Sequence, residues 1–160
     1  ELMHLEANPY LQPLEIFAWG SNSDIMNYAL LFCIAHQLTG QEKYLDAAIL
    51  TTDYVWGKNP TGYCFVTGFG SKRVQNIHHR IFANDGIQEL PKGFLIGGAN
   101  GNMEDLTYLN NNNLDYESKL PPKAYIDVVE SFASNEICIN WNAPLLFVLG
   151  YIYNVSSKNS

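Results

Sequence analysis

Glu136 is the side chain whose neighbours best suit it to chemistry. It lies in the stretch Tyr125 to Asn142, YIDVVESFASNEICINWN, among amides, small residues and aromatics. A carboxyl that acts as a general acid must stay protonated near neutral pH, and apolar or uncharged polar surroundings achieve this by disfavouring the ionised form. Ile137, Ile139, Trp141, Asn135, Asn140 and Asn142 are residues of that kind. The competing reading makes Glu136 a first-turn helix carboxylate facing the helix dipole, with Ser134 or Asn135 as cap. Local pattern alone favours the second reading, so the rest of the chain must decide.

A second constellation is Ile77-His78-His79-Arg80, just after Phe65-Val66-Thr67-Gly68-Phe69-Gly70-Ser71-Lys72. Neighbouring side chains on an extended segment point to opposite faces, so His78 and Arg80 share a face and His79 turns away. Such a pair donates several hydrogen bonds to hydroxyls while holding positive charge near a carboxylate. The histidines lack the spacing and further ligands of a zinc site. The glycines before Lys72 lack the strand, spacing and following helix of a phosphate loop. Trp19, ahead of Gly20-Ser21, is either a flat face for a sugar or an aromatic packing at a helix entry.

The elements that must position these residues are mostly helical. Pro9, Pro13 and the Trp19-Gly20-Ser21 turn predict irregular chain over residues 1–21. Ile25, Ala29, Phe32 and Ala35 fall on one face of a helix over about 22–38, capped by Ser21 to Ser23 and ended by Thr39-Gly40. A second helix from about Gln41 to Trp56 places Tyr44, Leu45, Ala48, Ile49 and Thr52 on its buried side and stops at Gly57 and Asn59-Pro60. Together they predict an antiparallel hairpin. Residues 57–123, rich in Gly and Pro, read as a long functional loop with at most short strands near Cys64 to Thr67 and Phe94 to Ile96. A last helix is expected from near Ser134 to about Tyr153, apolar on nearly all sides, with Pro144 kinking it or marking its true first turn. Residues 154–160 form a polar tail. The expected fold class is mainly α. A hairpin plus one almost fully buried helix cannot close a core, which hints at a missing half.

Composition narrows the function. The 160 residues are 47% hydrophobic, enough for one ordinary domain or a piece of a larger one. A net charge of -7, with nine scattered Lys and Arg, excludes a phosphate-backbone partner and points to a neutral ligand. Ten Tyr, three Trp and many Asn suit sugars. Cys33, Cys64 and Cys138 read as small buried hydrophobes. No apolar run reaches membrane length, and no signal peptide is visible in a chain that begins at Glu1.

Several segments, taken in order, resemble one family. Trp19-Gly20-Ser21-Asn22, Asn59-Pro60-Thr61-Gly62, Phe65 to Lys72, His78-His79-Arg80, Gly97-Gly98-Ala99-Asn100, Pro121 to Asp127 and Ser134 to Pro144 are similar to the C-terminal part of the catalytic domain of glycoside hydrolase family nine. The resemblance implies the C-terminal portion of an (α/α)6 toroid, built of helical hairpins with long irregular active-site loops. It implies an inverting β-1,4-glucanase acting on cellulose or related glucans, typically secreted. It assigns Glu136 as the general acid, His78 and Arg80 as ligands of the sugar on the non-reducing side, and Trp141 as a lining residue there. Trp19 is assigned to the sugar on the leaving-group side, and Tyr125 and Asp127 to support of the site. Cys64 and Cys138 replace other small residues of the family signatures.

One part of the family pattern has no counterpart. The DAGD-like motif that activates the attacking water is not in these 160 residues. Of Asp24, Asp85, Asp105 and Asp127, none falls in a family base position, and Asp127 is favoured as a hydrogen-bonding support. The expectation is therefore a chain that needs the N-terminal part of the same domain, joined or as a second chain. Cofactors are expected to be none within this chain, with calcium, where bound, held mainly by upstream ligands. The alternative is a non-catalytic carbohydrate-binding fragment.

Overall fold

The computed structural model describes residues 7–158. Helix α1 spans Ser21–Thr39, α2 Glu42–Asp53, α3 Leu106–Asn111, α4 Phe132–Asn135 and α5 Ile139–Lys158, with one 3-10 turn at Pro121–Lys123. Residues 8–20 are irregular, as their prolines predict; residues 1–6 of that expectation lie outside the described residues. No strand occurs among the described residues, only isolated bridges.

The hairpin forms as its local signals require. Gly40 closes α1 in the left-handed region at φ 66°, its N–H donating to the His36 carbonyl at 2.8 Å, a geometry that costs glycine little. After one further residue α2 returns against α1. Ile25, Met26, Ala29 and Cys33 of α1 join Ala47 and Ala48 of α2 in the main core. The cap differs from expectation. Gly20, at φ 85°, precedes the helix, and the Ser21 hydroxyl donates to the Ala99 carbonyl at 2.7 Å. On α2, Ile49 is exposed, and Ala47 and Thr51 take the buried positions.

The long central excursion is irregular but tied down. Residues 64–67 and 93–96 run side by side, with Thr67 N–H to Phe94 O at 2.9 Å and Ile96 N–H to Phe65 O at 3.1 Å. These are the two segments expected as short strands, and they pair through single bridges. Phe65, Val66, Leu95 and Ile96 are buried in the same core as Ile25 and Met26 of α1.

The expected single helix from Ser134 is instead two. After one turn of α4 the chain extends through Glu136 to Cys138, then enters α5. The interruption has a long-range cause: Gly97 N–H donates to Glu136 O at 3.0 Å, and Ile137 bridges Ile96. Sheet-like pairing here outcompetes continuation of the helix. Pro144 lies within the first two turns of α5, and the helix continues through the expected polar tail to Lys158; residues 159–160 lie outside the described residues. Nor is α5 buried on most sides. It buries Pro144, Leu145 and Val148, while Ile139, Leu146, Phe147 and Tyr153 are exposed. An apolar helix half-covered in this way has the pattern of an element that packs on two sides.

Candidate functional site

Three motifs that are far apart in sequence stack on one another. Gly97-Gly98 lies between the start of α1 and the 134–136 segment. On one side Asn22 N–H donates to Gly97 O at 3.1 Å and Asn22 Nδ2 to Ile96 O at 3.0 Å. On the other, Gly98 N–H donates to Ser134 O at 2.9 Å. Both glycines are needed sterically. A Cβ at Gly98 would lie 2.4 Å from the Asn22 side chain, and one at Gly97 would lie 2.6 Å from the Ala133 carbonyl.

The other edge of the Glu136 segment is occupied by His78. His78 N–H donates to Asn135 O at 2.8 Å, and His78 and Glu136 form a parallel bridge. Bridge partners carry their side chains on the same face, so His78 and Glu136 point the same way. The His78 Nδ1 lies 2.6 Å from the Val129 carbonyl and so carries a proton, and Nε2 has no hydrogen-bond partner among the described residues. His79 turns away as expected, with its ring centred 4.7 Å from that of Phe82. Arg80 is exposed, and no ion pair holds its guanidinium among the described residues.

Glu136 itself is half-buried, in extended backbone at φ -67° and ψ 151°. It is not a first-turn helix carboxylate, because it follows α4 and precedes α5. Among the described residues no hydrogen bond is made to its carboxylate, which leaves it available to a ligand. Cys138 lies close by: burial, then the Glu136 carboxylate, hold its thiol protonated above the ordinary range. Cys138 is partly accessible, whereas Cys33 and Cys64 are buried as read from the sequence.

Aromatic rings surround this face. Phe132 is the hub, with ring centres 5.0 Å from Trp19, 6.1 Å from His78 and 6.2 Å from Tyr108. Trp141 packs its indole on Gly20, where a Cβ would lie 2.8 Å from the ring. Trp19 and Trp141 thus flank the same turn, and Trp19 keeps 43% of its surface exposed.

Support comes from buried polar groups. Tyr125 donates its hydroxyl to Asn135 Oδ1 at 2.9 Å, and Asn135 Nδ2 donates to Ile126 O and Val128 O at 2.7 and 2.9 Å. Burial pushes the Tyr125 phenol well above its usual value, so it remains a donor. Asp127 accepts the N–H groups of Gln75 and Asn76, both at 2.9 Å, pinning the segment that leads to His78. Burial raises the Asp127 carboxyl against the pull of those bonds.

Two roles were not legible in the sequence, that of Phe132 and that of Asp105, which the sequence offers only as one of four candidate carboxylates. Phe132 was one more apolar residue in its stretch. Asp105, only 1% exposed, accepts from the Tyr116 hydroxyl at 2.5 Å, the Ser131 hydroxyl at 2.7 Å and the Ala133 N–H at 3.1 Å. The signal for it was a lone Asp ahead of an apolar turn, too weak to separate from any N-cap. Its three bonds leave it no role as a base. Asp85 is exposed and accepts the Ile87 N–H at 2.8 Å. Asp24 sits in the first turn of α1, its carboxyl raised by partial burial. No group of three or more His, Cys, Asp or Glu among the described residues could hold a metal ion.

The chain is similar to several known proteins. The chain is 38% identical over 139 residues to a xyloglucan-specific endo-beta-1,4-glucanase of Bacteroides ovatus, covering 86% of this chain and 22% of the relative. It is 36% identical over 139 residues to a cellulose 1,4-beta-cellobiosidase of Acetivibrio thermocellus, covering 85% and 15%. Its fold superposes on AaCel9A, solved with cellobiose-like isofagomine, with a TM-score of 0.82 at 29% identity, covering 97% of this chain and 29% of that one. The chain therefore spans about a quarter or less of the curated relatives' length. The profile of Glycosyl hydrolase family 9 matches residues 5–149. The chain belongs to glycosyl hydrolase family 9, and its mainly helical architecture is a portion of that family's (α/α)6 toroid.

Proposed function

We propose that this chain is the C-terminal portion, over residues 1–160, of a catalytic domain that hydrolyses β-1,4-glucosidic bonds, and that Glu136 is its general acid. The observation that carries the reading is the His78–Glu136 bridge, which sets an imidazole and an unengaged carboxyl on one face beside a cluster of aromatic rings. His78 Nε2 and the Arg80 guanidinium bind sugar hydroxyls on the non-reducing side, and Trp141 lines that region. Trp19 stacks the leaving-group sugar, since its exposed indole face suits the apolar face of a pyranose. Tyr125 acts as a positioning residue through Asn135, and Asp127 through Gln75 and Asn76.

The reaction follows from these roles. As the glycosidic C–O bond breaks, Glu136 gives its proton to the departing oxygen, and a water adds to the anomeric carbon from the opposite face. A second carboxylate takes that water's proton, about 6.5–9.5 Å from the first so that the water fits between them. That base comes from the remainder of the domain, covalently joined or as a second chain, because Asp105 and Asp127 are committed to hydrogen bonds and Asp24 and Asp85 lie on other segments. Any calcium also belongs to that remainder, and no step here passes through it. Cellulose and xyloglucan, named for the relatives, are the candidate polymers, and because such polymers lie outside cells the site of action is extracellular.

The test is Glu136→Gln in the full-length protein. Hydrolysis of soluble cellulose derivatives is lost while cello-oligosaccharide binding by calorimetry persists; near-normal turnover removes Glu136 from the role. The commitment of Asp105 and Asp127 to hydrogen bonds favours one further reading, a carbohydrate-binding fragment that does not hydrolyse. Binding by the full-length protein with no release of reducing sugar supports it, and release refutes it.

A further inference from the structure

The side-chain amide of Asn142, near the start of α5, is bonded at both ends and has no part in the roles assigned above. Its Oδ1 accepts the Leu95 N–H at 2.8 Å, and its Nδ2 donates to Leu95 O at 3.2 Å and to Cys138 O at 2.9 Å. These partners fix which way the amide faces. Turned over, it would set its NH2 against an N–H and its oxygen against two carbonyls. Leu95 is fully buried, and its N–H and C=O have no other hydrogen-bond partner among the described residues.

The pairing around Glu136 explains why an amide stands there. Ile96 and Ile137 form an antiparallel bridge, and on one side of it Gly97 N–H donates to Glu136 O at 3.0 Å. Hydrogen-bonded and non-bonded pairs alternate along an antiparallel ladder, so the next bonded pair on the other side would be Leu95 with Cys138. Cys138 does not complete it. Its carbonyl instead accepts the N–H groups of Trp141 and Asn142, at 3.2 and 3.1 Å, at the opening of α5. Asn142 stands in for the missing rung, because a primary amide carries the donor and the acceptor of a peptide group and here presents both to Leu95. Its further bond to Cys138 O joins that rung to the end of the Glu136 segment. The chain can therefore be extended at Glu136 and helical from Ile139 onward while Leu95 stays satisfied.

We infer that Asn142 is a positioning residue for Glu136: its amide locks residues 136–138 in register against residues 95–97, and so holds the Glu136 carboxyl on the face it shares with His78. A slip of one residue in this pairing would turn Glu136 to the opposite face. The functional consequence rests on the general-acid reading of Glu136. The register itself does not.

The experiment compares full-length wild type, Glu136→Gln and Asn142→Leu, which keeps the approximate shape and removes the amide. Two readouts are taken: the ratio of kcat on carboxymethyl cellulose to kcat on dinitrophenyl cellobioside, whose phenolate departs without a proton, and amide hydrogen exchange of residues 95–97 against that of α1. In Asn142→Leu the ratio falls several-fold, because a displaced acid matters only where a proton must be given, and exchange at 95–97 quickens several-fold while α1 keeps its protection. Equal loss on both substrates, unchanged exchange at 95–97, or exchange that quickens equally in α1 overturns the role and makes Asn142 a general packing residue. If Glu136→Gln itself lowers both rates alike, the general-acid reading fails instead, and the exchange pattern alone decides whether Asn142 sets the register. Should Asn142→Leu not fold, Asn142→Asp, which keeps the acceptor for Leu95 N–H and loses both donated bonds, is judged by the same outcomes.

Discussion

Replacing Asp105 by alanine removes the acceptor on which the site's framework converges. Its Oδ1 accepts from Tyr116, and its Oδ2 from Ser131 and the Ala133 N–H, all in buried surroundings. Leaving a buried donor unsatisfied costs about 1–3 kcal/mol. Two of the three donors are hydroxyls that can rotate toward other acceptors, as Tyr116 can toward Ser134 Oγ at 3.3 Å. The Ala133 N–H cannot rotate. Two partly relieved donors and one stranded N–H give a loss of about 3 kcal/mol for Asp105→Ala. Asparagine is a sharper control. Its carbonyl can stand where Oδ2 stands and keep Ser131 and Ala133, while its amide donates to the Tyr116 oxygen, so only charge assistance is lost, about 1 kcal/mol. Denaturant unfolding of the full-length protein measures both variants, and kcat should fall more in Asp105→Ala because α4 and Glu136 lose their anchor. A loss below about 1 kcal/mol in Asp105→Ala, or equal losses in the two variants, refutes the reasoning.

Other consequences are as direct. Tyr125→Phe strands Asn135 Oδ1, a group with no other partner among the described residues; it should cost about 1–3 kcal/mol in unfolding experiments and lower kcat more than it raises KM. Gly98→Ala must place a Cβ 2.4 Å from the Asn22 side chain at φ +90°, and should lose about 2 kcal/mol or more in a thermal melt. Burial and then the Asp105 carboxylate push the Tyr116 phenol from 10.0 up to about 12. The folded state then holds this proton more tightly than the unfolded one, so the stability is intact below pH 10.0 and is lost as pH rises toward about 12. Tyr54 and Tyr125 shift the same way through burial. Tyrosinate absorbance and helical circular dichroism should therefore change together in an alkaline titration, and ionisation of all tyrosines with the helices intact contradicts this.

What was legible in the sequence was what short-range chemistry determines. The α1–α2 hairpin follows from apolar spacing within each helix and from Gly40, whose left-handed conformation ends α1 without help from distant residues. Glu136 was misjudged in its local conformation for the opposite reason. Its stretch has apolar spacing that fits a helix, and only pairing with Gly97 and His78, 39 and 58 residues earlier, pulls it into extended backbone. Those partners could be placed in order by resemblance, but not in register by periodicity. Phe132 carried no local mark, and Asp105 only that of an aspartate ahead of an apolar turn. Their importance lies in contacts with chain segments brought together only by the fold, as when Asp105 meets Ser131 and Ala133. The exposed apolar side of α5 was misread as buried because sequence shows that a face is apolar, not which chain segment covers it.

The proton-donor role of Glu136 is tested most directly by comparing two substrates, one whose leaving group needs a proton and one whose leaving group does not. In full-length Glu136→Gln, hydrolysis of carboxymethyl cellulose should fall by about a hundredfold or more, the contribution of a positioned general acid. Hydrolysis of dinitrophenyl cellobioside, whose phenolate departs unprotonated, should keep most of its rate. If both rates fall together, or if cellulose hydrolysis survives, Glu136 is not the acid.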